Sequence, residues 1–155
     1  MSRLARFRER LEEAGRVHVD ARPLAYHLLG APRYRELTRQ LFDGVRAREI
    51  VAQTSVMTLY QILAEPHRRG EPEAAEHAGD LLTAARSLDT VPVTGAIARR
   101  AAQVRARLGG RAERAIQIAT ALEADADLFL TQGSGLRRIV GTGVLDLDDY
   151  AAGEE

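Results

Sequence analysis

The sequence of 155 residues contains no cysteine, no tryptophan and no lysine. The absence of cysteine excludes disulfide bonds, thiolate metal ligands and cysteine nucleophiles. Without lysine, all 22 basic residues are arginines, whose guanidinium groups make bidentate contacts with carboxylates and phosphates. They balance 22 acidic residues, and this zero net charge argues against a general polyanion binder, while a local basic patch stays open.

Long apolar runs are also missing. No stretch reaches the roughly 18 consecutive apolar residues of a membrane span, and residues 1–15 carry charges where a signal peptide has its apolar run. We therefore expect no membrane partner and a cytoplasmic location. With 45% hydrophobic and 28% charged residues, the chain has enough apolar side chain for the core of one domain.

Short β-rich runs alternate with segments of helical spacing, which is typical of a parallel α/β sheet. The predicted strands are 16–20, 50–54, 90–93, 127–131 and 143–147. Helices are predicted from Pro32, after Ser55, over 72–88, and around 97–108 and 116–122. Residues 1–15 predict an amphipathic helix, with packing on its own domain favoured over packing on a partner. The main domain is then 16–150, and we expect the tail, 151–155, to fray.

Polar residues stand where the predicted strands end, and ligands of open parallel sheets bind beyond those carboxyl ends. They are Asp20, Ser55, Thr94 and the run 131–133. A carboxylate that closes the first strand either points at a cation or caps the helix that follows, and both interpretations stay open. Gly133, Ser134 and Gly135 form a GxG loop, for which a tight turn is favoured over a phosphate cradle.

A basic stretch lies between residues 99 and 114. It holds six arginines against one acid, Glu113; they are Arg99, Arg100, Arg105, Arg107, Arg111 and Arg114. Such a stretch could contact the phosphates of a nucleic acid, or it could be a solvated helix face with salt bridges to other elements. The sequence gives both interpretations equal weight.

Four runs in this order resemble the landmark segments of PIN domains, the fold of VapC-type toxin ribonucleases. They are VHVDARPLAYHL (17–28), TSVMTLYQIL (54–63), RAIQIATALEADADLFLT (114–131) and the following QGSGLRRI. The resemblance covers residues 16–150. It implies a five-stranded parallel sheet sandwiched between helices, a short helix at GLRRI, and frequent dimerisation. It also implies an endoribonuclease that holds Mg²⁺ or Mn²⁺ in a cluster of acidic residues.

The four acidic positions of the family are only partly retained. The first acid matches Asp20, but the others fall on Gln61, Arg114 and Gly133. The four positions together carry no net formal charge, so we expect no bound metal. We predict instead that Arg114 occupies the former metal position and pairs with Asp20. The resemblance also places Ser55 and Thr131 close to the site, with Tyr26 and Tyr34 near its entrance.

These features predict a PIN-fold protein that is catalytically inactive and acts as an RNA-binding or protein-interaction module. The residues expected to contact nucleic acid are Ser55, Arg99, Arg100, Arg107, Arg111 and Thr131. The expected partners are RNA, a second copy of the chain, or a heterodimer partner that is a related PIN protein or an antitoxin. No cofactor is expected. The alternative is a residual endoribonuclease that uses Mg²⁺ or Mn²⁺, Asp20 and acids such as Glu65 or Glu113, or acids of a second subunit.

Overall fold

The computed structural model describes residues 1–152, in which helices and strands alternate. The strands are β1 (Arg16–Val19), β2 (Val51–Ser55), β3 (Leu88–Val91), β4 (Leu128–Thr131) and β5 (Gly143–Asp146). The helices are α1 (Arg3–Ala14), α2 (Ala21–Leu29), α3 (Arg35–Arg46), α4 (Met57–Arg68), α5 (Pro72–Ala84), α6 (Gly95–Leu108) and α7 (Ala112–Glu123). A short 3-10 helix, Leu147–Asp149, follows β5.

The strands form one parallel sheet in the order β3-β2-β1-β4-β5. In the central strand β1, Val17 pairs with Ala52 of β2 and with Leu128 of β4. Because side chains alternate along a strand, Val17 and Val19 lie on one face of the sheet and His18 lies on the other. Helices α1 to α5 pack on the first face, and α6 and α7 pack on the second. The predicted α/β fold, with five parallel strands between helices, is confirmed.

The third strand was predicted two residues too late. It begins at Leu88, which pairs with Ala52, rather than at the expected residue 90. Leu88 is buried, but the next two residues, Asp89 and Thr90, are exposed at the edge of the sheet. An edge strand of this kind has no continuous apolar run to mark where it begins. The bounds of the other four strands lie within one residue of those predicted.

The segment between β1 and β2 contains two helices instead of one helix starting at Pro32. Helix α2 begins directly after Asp20 and ends at Gly30, whose φ of 80° is outside the helical region. Helix α3 begins only at Arg35, so Pro32 lies in the turn between the two helices. The prediction that Pro32 occupies a first helical turn was therefore wrong.

The segment GLRRI (135–139) does not form the predicted helix. Gly133 and Gly135 have positive φ angles of 59° and 72°, which a right-handed helix does not allow. Ile139 then forms an isolated antiparallel bridge with Thr142. Leu136 and Ile139 are still buried, so the segment packs its apolar side chains as an irregular loop.

The N-terminal helix packs on the domain, as predicted. Phe7 and Leu11 of α1 are fully buried, and the Phe7 ring lies 5.4 Å from the ring of Tyr150. The tail was expected to fray from residue 151, but Ala151 is buried and its carbonyl accepts a hydrogen bond from Arg3 at 3.2 Å. The remaining tail residues 153–155 lie outside the described part of the chain.

Among residues 1–152, no helix combines the length and the apolar character needed to cross a lipid bilayer.

Candidate functional site

Three neighbouring strands bring their last polar side chains together at one edge of the sheet. Ser55 ends β2, Asp20 follows β1, and Thr131 ends β4. The backbone N–H of Asp20 donates to the carbonyl of Leu130 at 2.9 Å, which places the start of α2 against β4. The sequence correctly placed these residues at the carboxyl edge of the sheet, where ligands of parallel sheets bind.

Both carboxylate oxygens of Asp20 are hydrogen-bonded within the protein. Oδ1 accepts the Ala21 N–H at 2.8 Å, and Oδ2 accepts the Thr131 hydroxyl at 2.9 Å. Asp20 is thus the N-cap of α2, which is one of the two interpretations that the sequence left open. Burial raises the pKa of the Asp20 carboxyl, and its hydrogen bonds and the charges of Arg22 and Arg114 act in the opposite direction.

Gln61, which the resemblance places at the family's second acidic position, is bound to a buried amide on α7. Gln117 donates through Nε2 to Oε1 of Gln61 and to the hydroxyl of Thr58, both at 2.8 Å. Gln117 is fully buried, and its own Oε1 accepts from Nε2 of His18 at 2.8 Å. The amide therefore uses both N–H groups and its oxygen inside the protein, and it fixes Gln61 in place.

The same network defines the protonation state of His18. On the other side of the ring, Nε2 of Gln53 donates to Nδ1 of His18 at 3.0 Å, so Nδ1 carries no proton. The ring also stacks on Phe129, with centroids 5.4 Å apart. Burial lowers the pKa of His18 to about 4, despite a smaller opposing effect of the bond to Gln117. His18 is a neutral structural residue beneath the site, in agreement with its assignment to a strand.

Arg114 does not form the predicted ion pair with Asp20. Its Nη1 donates to the carbonyl of Ser134 at 3.2 Å, and no salt bridge joins it to an acid within residues 1–152. Both oxygens of Asp20 are already occupied by Ala21 and Thr131, so a bidentate contact would have to break these bonds. Arg114 acts on Asp20 only through its charge.

Gly133, which the resemblance places at the family's fourth acidic position, lies in a bend of the chain after β4. Its φ is 59°, and its N–H donates to Oδ1 of Asp146 at 3.1 Å. A Cβ atom at this position would lie 3.4 Å from Oδ2 of Asp148 and 3.8 Å from Nη1 of Arg22. An acidic side chain here would therefore meet a second carboxylate.

Two stacked tyrosines form the rim of the site. The rings of Tyr26 and Tyr34 lie 4.6 Å apart; Tyr26 donates to Gln132 and Tyr34 donates to Asp148, each at 2.7 Å. Gln132 donates in turn to Asp148 at 2.9 Å. The hydrogen bond from the Tyr34 hydroxyl is the largest cause that lowers the pKa of Asp148, and the bond from Gln132 acts in the same direction. The pKa of Tyr34 is raised to about 12, mainly by burial and next by its hydrogen bond to Asp148. Arg33 lies 3.8 Å from the Asp148 carboxylate.

The residues at this edge do not fit a divalent metal centre. Mg²⁺ and Mn²⁺ take several oxygen ligands, preferably from carboxylates. In the described part of the chain, no three His, Asp or Glu side chains come together as a metal-binding group. Of the acids considered for a residual nuclease, Glu65 pairs with Arg68 and Arg69 on the surface of α4, and Glu113 is half-buried on α7. No step of a metal-dependent reaction can be derived from this arrangement.

Some arginines of the basic stretch are bonded to other groups of the protein, and others have no partner in the described residues. Arg100 pairs with Glu123 at 3.0 Å, and Arg105 donates to the carbonyl of Gly110 at 3.2 Å. Arg99, Arg107 and Arg111 are exposed and have neither a salt bridge nor a side-chain hydrogen bond to the rest of residues 1–152. The salt-bridge interpretation therefore holds for Arg100, and the interpretation as a nucleic-acid contact stays a prediction for the arginines without partners.

Ser55 and Thr131, which the sequence placed among the nucleic-acid contacts, are buried. The Ser55 hydroxyl accepts the Met57 N–H at 3.0 Å, and the Thr131 hydroxyl donates to Asp20. The hydroxyl groups of Ser55 and Thr131 could contact a bound nucleic acid only after they became exposed.

Sequence reasoning missed the roles of Gln117 and Arg22. Gln117 is a polar residue inside the apolar run 115–119, and a buried amide at such a position needs partners, which was the available signal. Arg22 carried no signal, because its contact with the carbonyl of Gln132, at 3.5 Å, depends on how α2 and the loop after β4 meet in space.

A parallel sheet with its polar cluster beyond β2, β1 and β4 defines an α/β domain of the type that binds ligands at this edge. The sequence model of the PIN domain matches residues 17–141, and the chain belongs to the PIN domain family. Among curated protein sequences, none matches the chain.

Solved structures of toxin–antitoxin complexes share this fold. VapBC2 from Rickettsia felis, bound to a DNA fragment from their promoter, matches with a TM-score of 0.66 and 11% identity over 84% of this chain and 98% of that one. DNA-bound VapBC from Salmonella typhimurium matches with a TM-score of 0.61 and 16% identity over 85% and 98%. A toxin–antitoxin complex from Klebsiella pneumoniae matches with a TM-score of 0.57 and 15% identity over 84% and 97%.

Proposed function

We propose that this chain is a PIN-domain protein that binds RNA without cleaving it. The observation that carries the proposal is the chemistry at the carboxyl edge of the sheet. Asp20 uses both oxygens to cap α2 and bind Thr131, and Gln61 is held by the buried amide of Gln117. A site that activates water for phosphodiester cleavage needs clustered free carboxylates around a metal ion, and this edge offers internal hydrogen bonds instead.

The preference for RNA as the partner is supported by charge. Arg99, Arg107 and Arg111 expose guanidinium groups that have no salt bridge to an acid in the described residues. Guanidinium groups bind phosphate oxygens well, and affinity for a nucleic acid backbone arises largely from such contacts. Because the whole chain has zero net charge, such binding depends on local groups of exposed arginines rather than on the overall charge.

A second candidate is a protein partner, namely an antitoxin, a related PIN protein or a second copy of the chain. One observation favours it: three of the solved structures that share this fold are toxin–antitoxin complexes. A residual endoribonuclease, with Asp20 and acids from elsewhere around Mg²⁺ or Mn²⁺, stays as the alternative that the first experiment addresses.

The test is incubation of purified protein with a structured RNA of mixed sequence in the presence of Mg²⁺ or Mn²⁺. Asp20→Asn and an EDTA control run beside it, and one gel reports both cleavage and binding. We expect intact RNA that migrates as a complex, with or without EDTA. Cleavage that is lost in both controls would establish the nuclease alternative. Intact RNA that remains unbound at low salt would direct the search to protein partners.

A further inference from the structure

Two arginines donate hydrogen bonds to the loop after β4, and they belong to helices that pack on opposite faces of the sheet. Arg22 of α2 donates to the carbonyl of Gln132 at 3.5 Å, and Arg114 of α7 donates to the carbonyl of Ser134 at 3.2 Å. Gly133 lies between these two carbonyls. We call Arg22, Arg114 and loop residues 132–134 the arginine clamp.

The clamp places an arginine at or beside two positions where the resemblance predicts acids. Arg114 itself stands at the third acidic position. At the fourth, Gly133 contributes no side chain; a Cβ atom there would lie 3.8 Å from Nη1 of Arg22 and 3.4 Å from Oδ2 of Asp148, whose carboxylate accepts hydrogen bonds from Tyr34 and Gln132. Burial raises the pKa of Asp20, and the charges of both arginines oppose that rise, so both arginines act on the same carboxyl group.

Most N–H donors of the clamp are unused. A guanidinium group has five N–H donors, and Arg22 and Arg114 each make one side-chain hydrogen bond within residues 1–152. Arg22 and Gly133 are exposed and Arg114 is half-buried, so the donors can be reached from solvent.

The acids beside the clamp have other partners. Asp146 accepts the N–H groups of Gly133 and Asp148, and Asp148 accepts from Tyr34 and Gln132. Neither Arg22 nor Arg114 forms an ion pair with a carboxylate in the described residues. The clamp is therefore a pair of guanidinium groups that no carboxylate of the described residues neutralises by direct contact.

We propose that the arginine clamp binds the phosphodiester backbone of single-stranded RNA directly, with no metal ion. Paired N–H donors of a guanidinium group match the geometry of two phosphate oxygens, and two such groups neutralise charge that a divalent cation would otherwise neutralise. No bond forms or breaks in this interaction. The inference rests on the proposed function and names the contact residues within it.

The experiment measures fluorescence anisotropy of a labelled single-stranded RNA of about 12 nucleotides, a length suited to one groove. Titrations are run in EDTA between about 50 and 200 mM salt, where backbone contacts dominate the salt dependence. The variants are Arg22→Gln/Arg114→Gln in the clamp and Arg107→Gln/Arg111→Gln on the basic stretch. Arg86→Gln is the matched control. Arg86 is exposed and lies before the amino end of β3, whereas the clamp lies beyond the carboxyl ends of the strands.

We expect the clamp variant to lose roughly tenfold or more in affinity for each arginine removed, since hydrogen bonds to charged groups are strong. The slope of log K against log salt should fall by about 0.7 for each arginine. Arg86→Gln should bind like the wild type. Because Arg114→Gln also removes a loop contact, Arg22→Lys/Arg114→Lys is measured too; it should keep most of the salt slope and part of the affinity.

Three results would overturn the inference. If the folded clamp variant binds within threefold of the wild type while Arg107→Gln/Arg111→Gln does not, RNA binding stands and the clamp is not its site. If polyglutamate of equal charge displaces the RNA with equal potency, the clamp takes carboxylates of a protein. If the wild type binds no RNA at any salt concentration, the proposed function fails together with the clamp.

Discussion

The imidazole of His18 lies between two glutamine side chains that leave it a single protonation state. Gln53 donates to Nδ1, and Oε1 of Gln117 accepts from Nε2, so a second proton would face the N–H donor of Gln53. The ring is also fully buried. This residue connects the centre of the sheet to Gln61 at the site through one amide, and its charge state therefore affects the stability of both.

We predict that the stability of the protein falls on acidification because of His18. Its folded pKa of about 4 lies below the usual 6.5, so the unfolded chain binds the proton first as the pH falls. The contribution is complete above about pH 6.5 and is lost progressively toward pH 4, by roughly 3 kcal/mol. Denaturant unfolding at several pH values measures it.

The control for this prediction is His18→Asn, which removes the titrating ring and keeps the carboxylates that titrate in the same range. Its free energy of unfolding should be lower at pH 7, but it should change less between pH 6.5 and 4 than that of the wild type. Equal pH dependence in the two proteins would show that His18 is not held neutral.

At the same scale, the resemblance places Gln61, Arg114 and Gly133 at the family's acidic positions, but it does not predict what these residues contact. The contact of Arg114 with Ser134, instead of Asp20, depends on which acceptors are already occupied in the folded chain. Such competition between partners is a property of the three-dimensional arrangement, and no pattern in the sequence encodes it.

Secondary-structure elements were predictable where burial leaves a strong pattern. The central strands β1 and β4 have continuous buried runs, and their bounds were predicted within one residue. The edge strand β3 and the segment 135–139 were predicted less well. In β3 the middle residues are exposed, and in 135–139 the first residue, Gly135, has a positive φ, so the apolar residues at helical spacing do not form a helix.

The cap of α2 provides a prediction at the scale of the element. Asp20→Ala removes the acceptor for Ala21 and leaves the Thr131 hydroxyl without its partner, so the free energy of unfolding should fall by about 1 to 2 kcal/mol. Asp20→Asn retains an oxygen that can accept the Ala21 N–H, and its loss should be much smaller. Thermal or urea unfolding compares the two variants.

The opposite order of these variants would contradict the role of Asp20 as a cap. If Asp20→Ala were more stable than the wild type, the cost of burying the carboxylate would exceed the benefit of its hydrogen bonds. A buried carboxylate whose desolvation cost exceeds the benefit of its hydrogen bonds is typical of a functional site rather than of a helix cap.

At the scale of the whole molecule, the fold agrees with the PIN domain family, whereas the side chains at the carboxyl edge of the sheet differ from the acidic cluster that the resemblance implies. The sheet order, the parallel strands and the flanking helices agree with the PIN domain family and with solved toxin–antitoxin structures. The edge where the family resemblance implies metal-dependent chemistry carries amides, two arginines, and the carboxylates of Asp20, Asp146 and Asp148, each of which accepts hydrogen bonds within the protein. We infer that the scaffold is retained for binding, with arginine in place of a divalent cation.

The most direct measurement is a titration of the wild-type protein with Mn²⁺, followed by the EPR signal of the free ion. We predict that Mn²⁺ remains free at micromolar to millimolar concentrations, because the carboxylates at this edge are hydrogen-bonded within the protein and no three His, Asp or Glu side chains of the described residues come together as a metal-binding group. Addition of Mn²⁺ should likewise leave the midpoint of thermal unfolding unchanged, since a bound ligand would raise it. Stoichiometric binding of Mn²⁺ that Asp20→Asn abolishes would contradict the claim that the site takes no divalent cation, and it would make the chain a metal-binding PIN protein.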